Sequence, residues 1–134
     1  MNFLLDTHLL LWLFNDDYRL SDKVKSLMQN PYYTFYYSTV SVWEVAIKHA
    51  KNPKNMNTSG ALFIQYCEQA GFKKLELDDR HVIALETLRL KENAAEHKDP
   101  FDKILLSQAK ADGLTFVTHD DKFSIFDEPN VYLV

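Results

Sequence analysis

Short apolar runs that read as strands alternate along the whole chain with segments of helical spacing, and this alternation restricts the fold most. "NFLL" (2–5) reads as a buried strand and passes without a turn into "THLLLWLF" (7–14), long enough for two helical turns. "LSDKVKSLMQN" (20–30) offers Ser21 or Asp22 as an N-cap, with Val24, Leu27 and Met28 at helical spacing. "YTFYYS" (33–38) is aromatic and strand-like, and "TVSVWEVAIKHA" (39–50) places Val42, Val45 and Ala46 on one helical stripe. After a polar loop, "KNPKNMNTSG" (51–60), a helix is expected over "ALFIQYCEQA" (61–70) with Gly71 as its cap, followed by a third strand, "KKLEL" (73–77).

The remaining elements repeat the alternation. A helix is expected through "HVIALETLRL" (81–90), and Asp99 and Pro100 read as N-cap and first residue of another, "FDKILLSQAKAD" (101–112), which ends at Gly113. "LTFVT" (114–118) and "VYLV" (131–134) are the fourth and fifth strands. Alternating strands and helices imply an α/β fold with a parallel sheet of four to five strands covered on both faces, in three layers. At 134 residues and 15.7 kDa, with 46% hydrophobic residues, a single domain over 1–134 is expected to bury one core without staples.

Composition narrows the function classes. A net charge of −4 argues against a broad basic surface that holds nucleic acid, yet it leaves room for a nuclease whose acids bind metal. The lone Cys67 precludes an internal disulfide, fits a reducing compartment and reads as a packed core residue. "MNFLLDTHLLLWLF" lacks a basic leading region and is interrupted by Asp6 and His8, and no apolar run reaches about 18 residues, so a cytoplasmic protein without a membrane span is expected.

Acids collect where such a sheet would use them, because ligands bind beyond the carboxyl ends of parallel strands. Asp6 follows the first strand and Asp120 the fourth, by similar offsets. Asp102 shares a helical face with Leu105, Leu106 and Ala109, so it should point inward; Glu44 lies in the early turns of the helix after the second strand. Each has a simpler use. Asp99 could be only a cap, with Asp102 a first-turn acid favoured by the helix dipole. Glu44 and Lys48 are spaced as a surface ion pair, Asp6 could cap the helix from Thr7, and Asp120 could cap a turn through "DKFSIF". The five histidines have no metal-ligand spacing and read as structural, with His97 and His119 the two nearest the acids.

Four segments, "LLDTHLLLW", "STVSVWEVAIK", "HKDPFDKILLSQA" and "LTFVTHD", occur in an order that resembles the PIN domain family, and within it the VapC-type toxins of toxin-antitoxin pairs. The resemblance spans essentially the whole chain. It implies a Rossmann-like fold and an active site in which Asp6, Glu44, Asp102 and Asp120 bind metal and carry catalysis, with Asp99 a possible further ligand. Thr7, Ser38 and Thr118 would support those acids. Oxygen-only donors favour one or two Mg²⁺ or Mn²⁺ ions over zinc, for metal-dependent hydrolysis of RNA phosphodiesters.

The same resemblance implies a cognate antitoxin that blocks the cleft, and a homodimer. Lys48, Lys51, Lys54 and His119 are the candidates for contacting RNA, His119 standing where many relatives carry Arg; Tyr32, Tyr33, Tyr36 and Tyr37 divide between core and interface. Two other readings are a non-catalytic interaction domain that keeps the fold and a different metal-dependent phosphohydrolase. "LLDTH" lacks the second aspartate of a D-x-D nucleophile motif, which weighs against the latter.

Overall fold

The computed structural model describes residues 1–95 and 99–134. The expectation that His97 lies near the acids falls outside the described residues. Five strands form one parallel sheet in the order β3-β2-β1-β4-β5, where β1 is Asn2–Leu5, β2 Thr34–Ser38, β3 Lys73–Leu75, β4 Thr115–Thr118 and β5 Val131–Leu133. Both edge strands have three residues. Among the described residues six α-helices connect them: α1 Thr7–Phe14, α2 Asp22–Met28, α3 Thr39–Lys51, α4 Gly60–Gln69, α5 Asp79–Ala84 and α6 Pro100–Ala111. The three-layer α/β arrangement with five parallel strands is the one the sequence pattern implies.

Strand pleating sorts the apolar residues onto the two sheet faces, since successive side chains point to opposite sides. Phe3, Leu5 and Val117 join a core with Leu9 and Leu10 of α1 and Phe63 and Cys67 of α4. Leu4 and Phe116 face the other way, into a core with Leu105, Leu106 and Ala109 of α6. Helix α3 serves both, through Val45 on the first side and Val40 on the second. Cys67 is fully buried, as a core residue should be, and burial pushes its thiol far above the ordinary range.

Local signals account for most helix limits. Ser21, Ser38 and Ser59 cap α2, α3 and α4 by accepting from the main-chain N–H of Val24, Val40 and Leu62. Gly71 and Gly113 follow α4 and α6 in the left-handed region, at φ +83° and +65°. The stripe on α3 differs from the pattern read from sequence. Val40, Ser41, Glu44 and Val45 are its buried residues, while Ala46 is exposed against Gly60 of α4.

The helix expected over 81–90 is corrected. It begins earlier, at Asp79, ends at Ala84 and closes with a 3₁₀ turn, Leu85–Thr87. The main chain beyond is captured by a distant segment: Arg89 N–H donates to Glu128 Oε1, Asp127 N–H to the Arg89 carbonyl, and Lys91 N–H to the Ile125 carbonyl. The third strand is also shorter than expected, stopping at Leu75.

Candidate active site

The sheet order reverses at β1: β2 and β3 lie on one side of it, β4 and β5 on the other. The crevice between the carboxyl ends of β1 and β4 is the position where such folds bind ligands. Asp6 and the Thr118–Asp120 stretch emerge there.

Asp6 is 3% exposed and, although it precedes α1, its side chain does not cap that helix. Its main-chain N–H instead continues the β1–β4 ladder to the Val117 carbonyl at 3.0 Å. Its carboxylate accepts from the Thr118 hydroxyl at 2.7 Å, and the same Thr118 oxygen accepts from Asp120 N–H at 3.0 Å. One hydroxyl thereby ties together the two acids that follow adjacent strands. Burial is the main reason the Asp6 carboxyl is pushed up to about 6; the Thr118 hydrogen bond and His8 oppose that rise, and the negative charge of Glu44 adds to it.

Glu44, 4% exposed, is carried toward Asp6 by the start of α3. Two buried contacts hold that start in place. Thr7 Oγ1 and Ser41 Oγ lie 2.7 Å apart, joining α1 to α3, and the Ser38 hydroxyl donates to Gln108 Oε1 of α6. Lys48 donates to Glu44 Oε2 at 2.7 Å, so the ion pair read from the i, i+4 spacing forms, with one partner buried and the other half-exposed.

The remaining acids divide. Asp102 is half-buried in the first turn of α6. Asp99 is exposed and caps α6, accepting from Phe101 and Asp102 N–H. Asp120 caps a 3₁₀ turn, Asp121–Ile125, by accepting from Lys122 N–H. Structure therefore brings Asp6, Asp120 and Glu44 to one rim and gives Asp99 the cap geometry. Among the described residues, no three His, Cys, Asp or Glu side chains stand in an arrangement that closes around a metal. The donors present are still of the type a hard cation takes: carboxylate oxygens, one of them buried at a cost that a neighbouring positive charge would offset.

Lys51 and Lys54 lie exposed at and beyond the end of α3. His119 is exposed, and its Nδ1 lies 2.8 Å from the main-chain oxygen of Val134. A cleft of about 280 Å³ is lined by Asp6, His8, Trp12, Arg19, His119 and Asp120. His8, Trp12, Arg19 and Ser41 escaped the sequence reading. The first two had a signal, since they sit two and six residues after Asp6 on the helix that leaves the rim. Arg19 had none, because it lies in the irregular stretch after α1, which includes a left-handed residue, Asp16 at φ +49°.

Comparison with known proteins places the fold. The PIN domain family matches residues 3–129, and the chain belongs to that family. Among solved structures it is similar to VapBC2 from Rickettsia felis, determined bound to a DNA fragment from the promoter, at 18% identity and TM-score 0.70, covering 100% of this chain and 98% of that one. It is also similar to a toxin-antitoxin complex from Klebsiella pneumoniae, at 20% identity and TM-score 0.56, covering 98% of each chain. No curated protein matches its sequence.

Proposed function

We propose that the chain, acting as one PIN domain over 1–134, is a Mg²⁺- or Mn²⁺-dependent endoribonuclease and the VapC-type toxin of a toxin-antitoxin pair. The observation that carries this reading is the buried Asp6 carboxylate, bridged through Thr118 to Asp120 and facing the charge of Glu44 at the sheet's switch point. Family membership and the likeness to two toxin-antitoxin structures support it.

Asp6, Glu44, Asp102 and Asp120 would hold one or two ions; Asp99 contributes as the cap of α6. A bound divalent ion supplies Lewis-acid polarisation of the phosphodiester and neutralises charge that develops on its oxygens. The chain's own part is positioning. Thr118 fixes the orientation of Asp6 relative to Asp120, and the Thr7–Ser41 and Ser38–Gln108 contacts set the height of Glu44. Lys48 balances Glu44 in the free protein and, with Lys51 and Lys54, guides the RNA backbone once released. The partner is an antitoxin that covers the cleft, the toxin is a homodimer, and both work in the cytoplasm.

A non-catalytic interaction domain on the same fold is the second reading, and the Lys48–Glu44 pair favours it, since a permanent ion pair would serve stability alone. Purified protein freed of any partner, incubated with labelled total RNA under Mn²⁺, Mg²⁺ or EDTA, separates the two. Discrete cleavage that requires metal and disappears in Asp102→Asn is the expected result. Identical behaviour of wild type and variant would favour the interaction domain.

A further inference from the structure

We propose that Trp12, Arg19 and His119 form a seat for one unpaired nucleobase of the RNA, next to the carboxylates that would hold the metal for the adjoining phosphodiester. The seat deepens the nuclease reading and rests on it for the identity of the polymer.

The cleft is lined by two unlike kinds of group: the carboxylates of Asp6 and Asp120, and an indole, a guanidinium and two imidazoles. Arg19 lies over the Trp12 ring, 4.8 Å from its centroid. Its Nε and Nη2 are engaged by Asp17 at 3.0 and 2.7 Å, which orients the guanidinium and occupies one of its two donor edges. A guanidinium held in this way offers its flat face, and unstacked bases pack on such faces and on aromatic rings.

His119 completes a corner. Its ring meets Trp12 at 71° with centroids 5.1 Å apart. Because the Val134 main-chain oxygen only accepts, Nδ1 carries a proton toward it, which leaves Nε2 to meet a polar group on a base edge. The cleft's volume lies just under the usual range for small-molecule sites, which suits one nucleotide rather than a folded RNA element. With a net charge of −4, the chain lacks the broad positive field that holds RNA by phosphates alone, so stacking is a needed source of affinity. A partner that presents acidic side chains would meet the like charges of Asp6 and Asp120.

The test is binding by a cleavage-deficient protein, which separates this inference from the nuclease reading. In an Asp102→Asn, Trp43→Phe background Trp12 is the sole tryptophan, and its emission reports the seat directly. A short single-stranded RNA is titrated in alongside versions with one abasic position moved along the strand. Expected are a saturable change in Trp12 emission and a loss of affinity of roughly 5- to 150-fold at one abasic position, the range for one stacked base. Arg19→Ala and Trp12→Ala, followed by a dye on the RNA, should cost a similar factor, while Trp12→Phe retains most of the affinity. That factor should persist at high salt, where phosphate contacts weaken. Equal binding of every abasic strand, or no effect of Trp12→Ala and Arg19→Ala, would overturn the seat. Wild-type protein that binds in this base-dependent way yet cuts no RNA would leave the seat standing and remove the nuclease.

Discussion

Asp6 concentrates the tension between stability and function in one residue. Its carboxyl stands at about 6 in the folded chain against 3.8 for an ordinary aspartate, so folding favours the protonated form. The stability this group contributes is therefore full below about pH 4 and lost as pH rises through 6, a difference of roughly 2–3 kcal/mol. Asp6→Asn, which keeps an oxygen to accept from Thr118, should raise the melting temperature at pH 7.5 without divalent ions, with the gain shrinking toward pH 4. Thermal scans across that interval check it; a variant no more stable than wild type at pH 7.5 would contradict the burial argument. Thr118→Val removes the hydrogen bond that holds the Asp6 carboxyl down, so its carboxyl should rise further. Because metal and proton compete for one carboxylate, Mn²⁺ binding in Thr118→Val should need a higher pH than in wild type. Calorimetric titrations at pH 6 and 8 compare the two proteins.

At the scale of elements, α6 shows what a cap does beneath a candidate site. Asp99 accepts from two N–H groups at the helix start, and Asp102 occupies the same first turn. Asp99→Ala should cost about 1 kcal/mol, a drop of about 3–5 °C in melting temperature, and Asp99→Ser should restore most of it, because serine caps equally well but offers no carboxylate. A shared loss in both variants would point to a role beyond capping. The candidate acids were legible in sequence because each follows a strand or lies in the early turns of a helix, and those positions have local signatures. The end of α5 was not. Residues 81–90 carry a continuous helical pattern, yet Glu128 and the Ile125 carbonyl, more than thirty residues on, take the main chain from Arg89 to Lys91. His81, read as structural, proves so: it is buried, completes a capping box with Asp78 and lies 2.9 Å from Asp112. Arg19 shows the same limit at the cleft, since it lies in the irregular stretch between α1 and α2.

For the whole molecule, the two cores hold β1 and β4 from both faces, so the crevice between their ends is built on the most buried part of the sheet. A cation that bound the folded chain alone, as the proposed site requires, would stabilise the entire fold, by about 2.7 kcal/mol at a hundredfold excess over its dissociation constant. Mn²⁺ should thus raise the melting temperature by several degrees, reversibly with EDTA, and far less in Asp102→Asn. A melting temperature indifferent to Mn²⁺ would count against the metal site.

The three-residue edges of the sheet bear on how this protein meets other chains. A strand bordering open solvent with a long run of free amides and carbonyls invites any extended peptide to zip onto it, and the same run seeds fibrils. Here β3 and β5 each offer one such grip, too brief to align a visitor in register. Association then falls to side chains rather than to the backbone, and a few side-chain substitutions suffice to make one companion welcome and another not. A fold closed to backbone zippering is free to diverge in whom it recognises while its interior stays the same.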